Sequence, residues 1–379
     1  MTRVLITGAR APVALDMARA FRAAGCAVAL ADSVWPFAAA LSRPRFPIHR
    51  LPPPRFAFAA FRTRLRELMA DVDLLVPTCE EVFWLAAAAA RDGWTARLFA
   101  PSLKLLRSLH SKADFAALAH AAGVDAPTTM TLTAATDLAG LAWPDLVAKP
   151  EFSRFGTRTL IAPQPAALRA IQPTPEHRWV AQERIEGDEF CTFSIVRDRR
   201  LIACAVYRPV LRHKRSACYA FEAVDRPDVT AMAAQIASTI EGCGQLSFDV
   251  IITAEGRVAP LECNPRAVSG LHLFDAAPGL AYAILEGRPL APPPPGTIRY
   301  LSPAMAMLGL PAALAAGTMS RLLHSWRHGQ DGLTRPGDRL PAAGCVLDAA
   351  RFGLMGLWRR HTATVQSTQD IEWNGAPIA

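Results

Sequence analysis

Ser247 to Gly270 reads SFDVIITAEGRVAPLECNPRAVSG, and its alternation decides how the rest of the chain is understood. Phe248, Val250 and Ile252 fall on one face of an extended segment, with Ser247, Asp249 and Ile251 on the other; Val258 to Asn264 alternates likewise. Glu255-Gly256 is the expected two-residue turn, which pairs Ala254 with Arg257 and so places Asp249 opposite Glu262. Asn264 lies two residues beyond Glu262, on the same face. Opposed like charges in a ladder repel by a few tenths to about 1 kcal/mol. The arrangement therefore makes sense around a cation, and hard oxygen donors point to Mg²⁺ or Mn²⁺. The alternative is a solvent-facing strand pair whose acids merely align. Pro260 adds a condition: it has no N–H to give a ladder, and a bulge there would shift the register by one.

At 379 residues the chain exceeds one ordinary core, and two or three domains are expected. Hydrophobic residues make up 51%, enough for full burial, with no uninterrupted run of about 18 apolar residues free of Pro, Gly or charge. The N-terminus enters a strand at Val4 to Thr7 without a basic-then-apolar leader. A soluble, cytoplasmic protein is the expectation. The eight cysteines form no CxxC pair and read as reduced core residues. The net charge of +8 is spread along the chain without aromatic interleaving, which argues against nucleic-acid binding. Lysine occurs only at 104, 112, 149 and 214, while arginine is abundant. Where lysine persists, a compact ammonium is of interest.

In chain order, residues 3–33 read as strand, turn, helix and strand, the opening of a doubly wound sheet. The turn has one glycine, Gly8, and not G-x-G-x-x-G, so Asp32 is the one remaining hint of a dinucleotide site. Phe58 to Met69 reads as a helix. Glu80 and Glu81 follow a buried strand, where ligands gather in open αβ sheets, or serve as first-turn helix acids. Ser111 is an N-cap with Asp114 at N3, and the helix it opens stops at Gly123. Lys112 opposes that helix's dipole, so it is either solvated or facing an anion. Lys149 ends an apolar strand before a loop containing Arg154, Gly156 and Arg158, a phosphate-handling layout with few glycines. RPVLRHKR at 208–215 is a basic cluster, either solvated or anion-binding. LAPPPPGT at 290–297 reads as a stiff linker to a C-terminal extension of short helices, with Trp326, Trp358 and Trp373 as packing residues.

Taken together, Lys112, Lys149, QERIEGDEF, FDV and LECNPRAVSG resemble the ATP-grasp superfamily in order and spacing, over roughly residues 1–290. The ending N-P-R-x-x-G is similar to the branch of carbamoyl-phosphate synthases, biotin carboxylases and amino-acid ligases. The resemblance implies an α/β chain with an N-terminal doubly wound αβ domain (1–105), a two-lobed ATP-grasp α+β domain (106–178 and 179–290) and a small C-terminal extension (291–379). It implies ATP and Mg²⁺ (or Mn²⁺) as cofactors. Lys112 and Lys149 would touch the phosphates, Gln182, Glu183, Arg184 and Ile185 would hold the adenine at the hinge, and Glu189 the ribose. Asp249, Glu262 and Asn264 fall on the family's metal positions, and Arg266, with Lys149, would offset charge on the transferring group. The expected activity is an ADP-forming ligation of a small-molecule carboxylate to an amine through an acyl phosphate. Other ATP-grasp chemistry, or nucleotide binding without turnover, are the alternatives. No nucleic-acid or membrane partner is expected, and a homodimer is left open.

Overall fold

β1 (Arg3–Thr7), β2 (Ala27–Asp32), β3 (Ile48–Arg50) and β4 (Leu74–Val76) form a parallel sheet in the order β3-β2-β1-β4. Such strands run apolar because crossover helices cover both faces. The computed structural model describes residues 1–153, 158–212 and 218–378. Arg154, Gly156 and residues 213–215, named above as anion-binding candidates, lie outside the described residues.

The turn after β1 holds Gly8 at φ +71, where a Cβ would sit 2.6 Å from Thr78 Oγ1 and 2.8 Å from Glu81 Oε1. The glycine is demanded by the neighbouring turn, with no pyrophosphate needed to explain it. Asp32 is held by Arg10 at 2.5 Å, and Arg10 also binds Asp370 at 2.7 Å. The carboxylate that hinted at a ribose thus anchors the C-terminal tail across the strand ends, where a cavity of only about 10 Å³ is left. Glu81 accepts from Thr7 Oγ1 (2.8 Å), Thr78 N (3.1 Å) and Cys79 N (3.2 Å), a local structural role.

β5 (Thr129–Leu132), β6 (Leu146–Pro150), β7 (Leu160–Ile161) and β8 (Trp179–Glu183) make an antiparallel sheet in the order β5-β8-β6-β7. A larger sheet follows from β9 (Asp188–Arg197), β10 (Arg200–Arg212), β11 (Cys218–Ala223), β12 (Cys243–Ile252), β13 (Val258–Asn264), β14 (Ile298–Tyr300) and β15 (Gln330–Asp331). Its order is β13-β12-β9-β10-β11-β14-β15. Phe248, Val250 and Ile252 of β12 are buried against helices Lys112–Ala121 and Pro227–Ala237, the face that alternation assigned to the core. On the other face, Phe193, Ile195, Ala205 and Tyr207 share one core with helix Pro12–Ala23 and helix Pro278–Glu286. The N-terminal domain and the second lobe are therefore packed as one body.

The proline-rich segment is laid along this sheet. Leu290 N–H donates to Ile202 O (3.0 Å), Gly296 N–H to Ala223 O (2.8 Å), and Ala223 N–H to Thr297 O (2.9 Å). It thereby delivers β14 beside β11. Beyond it, one helix is long: Leu340–Arg359 spans 20 residues, where short helices were expected. Trp373 packs as expected, its ring 4.7 Å from Phe83, but Trp326 and Trp358 are exposed. The fold is α/β: a doubly wound N-terminal domain, a two-lobed α+β unit, and a C-terminal extension that returns to the N-terminal domain.

Candidate active site

The hairpin places Asp249 opposite Glu262, and Ser247 opposite Asn264. It reaches that register by two departures from the simple turn. Thr253 N–H donates to Arg257 O (3.1 Å) and Gly256 N–H to Thr253 O (3.0 Å), so three residues, not two, make the loop. Gly256 at φ +88 takes the left-handed position such a loop needs. The pairing is then one residue out as far as Val250 opposite Pro260, and a bulge between that pair and Asp249 restores it. The freed carbonyl of Leu261 accepts from Gln182 Nε2 at 3.2 Å, tying the hairpin to the first lobe.

Two lysines converge on this pair. Ser111 caps helix Lys112–Ala121, accepting from Asp114 N (3.1 Å) and donating to Glu151 Oε1 (2.5 Å). Lys112, at the first position of that helix, lies 3.6 Å from Glu262 Oε2 and donates to the carbonyls of Glu151 and Ser153. Lys149, near the end of β6, comes to 3.9 Å from the same oxygen. Both lysine side chains are buried, at 3% and 7% exposure. Burial pulls Lys149 down to about 8, Glu262 working against the shift and Lys112 adding to it. Burial also opposes ionisation of Glu262, but the two ammonium groups outweigh it and hold this carboxylate below its usual range. Asp249 is raised, by burial and then by the charge of Glu262. One carboxylate thus carries the charge for a contacting pair, and two cations lean on it.

Asn264 Nδ2 donates to Asp249 Oδ2 (3.4 Å), while its Oδ1 accepts from Arg266 Nη2 (3.1 Å). Among the described residues no three His, Cys, Asp or Glu side chains converge. A hard cation here would be held by the two carboxylates, with ligand oxygens and, after its amide turns over, Asn264. The half-buried, opposed carboxylates fit that ion. Arg266 is mostly buried and reaches within 3.8 Å of Glu80, which the N-terminal domain presents at the start of helix Glu81–Asp92.

The hinge residues are placed unequally. Gln182 is buried, with Thr129 Oγ1 (3.1 Å) and Leu261 O as its partners. Glu183 is engaged by Arg257 (2.6 Å) and Thr128 N (3.0 Å), and Arg257 holds it below the usual carboxylate range. The N–H groups of Glu183 and Arg184 donate to Thr128 O and Asp145 O, both at 2.8 Å. The Arg184 side chain leaves toward Pro144 O and Glu186, and Ile185 is half-buried. Neither Glu183 nor Arg184 brings its side chain to the lysine cluster. Glu189 is exposed on β9 beside Ile251 and pairs with Arg212. It is two residues from Cys191, the neighbour of Asp249, and so shares the site's face of the sheet. The ring of Trp179 lies 5.0 Å from the guanidinium of Arg158.

Two residues went unnoticed in the sequence. Glu151 is buried and bound by Ser111 and by Arg178 at 2.7 Å, fixing the helix of Lys112 to the strand of Lys149. His110, next to the Ser111 cap, is buried with its Nε2 unpartnered among the described residues, and burial lowers it to about 4. Their signal was adjacency alone, to Lys149-Pro150 and to Ser111-Lys112. On the far side of Glu151 a cavity of about 1260 Å³ opens between the first lobe and the C-terminal tail, with Lys104, Arg107, Arg158 and Arg178 in its wall.

The fold is shared with several solved structures. The solved structures it resembles include the N5-carboxyaminoimidazole synthetase of Staphylococcus aureus in complex with ADP (TM-score 0.61, 13% identity, 82% of this chain and 85% of that one). Phosphoribosylamine–glycine ligase of Thermotoga maritima is similar at TM-score 0.61 and 15% identity, over 78% of each chain. The L-amino acid ligase of Bacillus licheniformis is similar at TM-score 0.54 and 14% identity, over 71% of this chain and 68% of that one. No protein-family model matches the sequence, and no curated protein matches it.

Proposed function

We propose that this protein is an ADP-forming ligase that activates a small-molecule carboxylate with ATP and joins it to an amine. The observation that carries the reading is the approach of two buried ammonium groups, Lys112 and Lys149, to the carboxylate that faces Asp249 across the hairpin. Such a cluster fits a polyphosphate with a divalent cation better than it fits an empty surface. Two of the similar structures are named as ligases of an amino acid or of glycine, and one is complexed with ADP, which supports the same reading.

In this reading a carboxylate oxygen of the substrate attacks the γ-phosphorus as the bond to the ADP oxygen breaks. The amine then attacks the acyl carbon and phosphate leaves. Lys112 and Lys149 hold the transferring phosphoryl group and balance its charge, and Arg266 orients the acyl phosphate or the acid. Asp249 and Glu262, with Asn264, would hold Mg²⁺, which when bound neutralises and orders the phosphates. Gln182 to Ile185 would line the adenine, and Glu189, once released from Arg212, the ribose. The wall of the large cavity sets Lys104, Arg107, Arg158 and Arg178 against Glu151, Glu176 and Glu372, a slightly basic balance that suits a substrate with an acid group. A cytoplasmic location, where ATP and Mg²⁺ are at hand, fits this chemistry.

The test is Mg²⁺-dependent ADP release by the purified protein across a panel of amino acids and other carboxylates, with hydroxylamine present. The expected result is ADP together with a hydroxamate from one acid. ADP release only with bicarbonate, without hydroxamate from any other acid, would replace the reading by bicarbonate activation, toward which the carboxyaminoimidazole synthetase likeness leans. Nucleotide binding without ADP release on any substrate would overturn the enzymatic reading.

A further inference from the structure

Helix Leu340–Arg359 is fastened to the N-terminal domain by its inward side. A Cβ on Gly344 would lie 2.5 Å from Phe37 O, so the two backbones touch there. Asp348 accepts from the N–H groups of Phe37 (3.2 Å) and Ala38 (3.0 Å), capping helix Phe37–Ala40, and Phe352 and Gly356 are buried beneath. With that side fixed, the outward side is fixed too. It carries Val346, Leu347, Leu354, Leu357 and Trp358, the last two at 80% and 82% exposure. A helix lying on a domain normally turns charge to solvent, and this one turns its apolar stripe outward.

The helix is long and apolar enough to cross a membrane. Its middle residues Asp348 and Arg351, however, are paired at 3.0 Å and bound to the N-terminal domain, which keeps it lying on the protein. Charge identifies what would cover it. Between residues 287 and 369 there is no Glu, and the three Asp residues, 331, 338 and 348, all have protein partners. Arg339 is exposed at one end of the helix, and Arg359, Arg360 and His361 at the other. A second copy laid on this face would oppose arginine to arginine. An anionic lipid surface accepts the apolar stripe and supplies the counter-charge at both ends.

We propose that the outward face of helix Leu340–Arg359 seats the protein on an anionic lipid surface, the helix lying in the plane of the headgroups. Trp358 stands where interfacial tryptophans gather. The adjoining segment, whose helix Ser302–Ala304 packs against this one, adds exposed Met307, Leu308 and Leu314. A membrane partner is not expected from the sequence, because the apolar positions are interrupted by Pro341, Gly344, Asp348 and Arg351, all of which face inward or are half-buried.

The experiment is co-sedimentation of the full chain with phosphatidylcholine vesicles, with and without phosphatidylglycerol, at low and high salt. Two double variants accompany it, Leu354→Glu/Leu357→Glu and Arg359→Glu/Arg360→Glu, with melting temperatures confirming that each is folded. Binding is expected at least about tenfold tighter with phosphatidylglycerol, weakened by salt, and reduced about tenfold or more in each variant. Equal binding to both vesicles, or binding unaltered in both folded variants, overturns the proposal. So does a concentration-dependent dimer, dissolved by Leu354→Glu/Leu357→Glu, in a protein that ignores vesicles; that result assigns the face to a second copy.

Discussion

Glu262 and Asp249 face each other across one ladder, yet their surroundings give them opposite work. The hairpin by itself makes them equivalent, and relief of repulsion would follow from neutralising either. The lysines remove that symmetry: Glu262 is the counter-charge to Lys112 and Lys149, while Asp249 is the carboxyl that burial and its neighbour push toward the neutral form. Without nucleotide, Glu262→Gln is therefore expected to cost roughly 2 kcal/mol, because it takes from two buried ammonium groups the carboxylate that both approach. Asp249→Asn should leave the melting temperature unchanged or raised. Thermal melts of the two variants check this, and equal shifts would contradict the asymmetry. Both should lose Mg²⁺-dependent ADP release. Lys149→Ala should reduce turnover by about 100-fold or more, the scale of losing one preorganised charge at a transferring group.

At the scale of the element, the hairpin was legible in its alternation and in its outcome, but not in its route. Asp249 stands opposite Glu262 because a three-residue loop and a bulge beside Pro260 offset each other. Pro260 announced the bulge, since proline cannot donate to a ladder. Nothing in Glu255-Gly256 distinguished a two-residue turn from a three-residue one, because both welcome glycine at a left-handed position. The bulge also has a use that alternation cannot reveal, which is to free the Leu261 carbonyl for Gln182. Gln182→Leu should leave the fold intact and weaken nucleotide affinity by about tenfold, the worth of one buried hydrogen bond. Binding titrations with ADP check it, and an unchanged affinity would show that the tie between lobe and hairpin does not matter to the nucleotide. The helix of Lys112 was readable to its ends, from the Ser111 cap to Gly123 at φ +78, because cap chemistry is local. The convergence of Lys112 and Lys149 is not local: the resemblance implied that both touch the phosphates, and their approach to one Glu262 oxygen came only with the structure.

For the whole molecule, the interactions that the sequence hid are those between remote segments. Arg10 and Asp370 are 360 residues apart and close the N-terminal domain with the tail, and so Asp32, a ribose hint in isolation, is structural. Asp16, fully buried in helix Pro12–Ala23, receives His272 at 2.7 Å, Arg335 at 2.8 Å and Arg19 at 2.8 Å. It joins the N-terminal domain to the turn after the hairpin and to the extension. Burial opposes its ionisation, but these partners prevail and hold its carboxyl below the usual value. A carboxylate lowered on folding contributes stability above its unfolded pKa of about 4, and loses it as pH falls through the folded value. Asp16→Asn is expected to cost about 3 kcal/mol near neutral pH. Denaturant titrations should show that deficit shrinking as pH drops below about 4; a deficit independent of pH would mean that its charge is not what matters.

The measurement that bears most directly on the central claim is ATP affinity by calorimetry, with and without Mg²⁺, for the native protein and for Asp249→Asn and Lys112→Ala. ATP should bind the native protein more tightly with Mg²⁺. Asp249→Asn should lose that Mg²⁺ increment while keeping metal-free binding, and Lys112→Ala should weaken binding in both conditions. Native-like, Mg²⁺-enhanced affinity in both variants would contradict the assignment of this hairpin and its lysines as the nucleotide site.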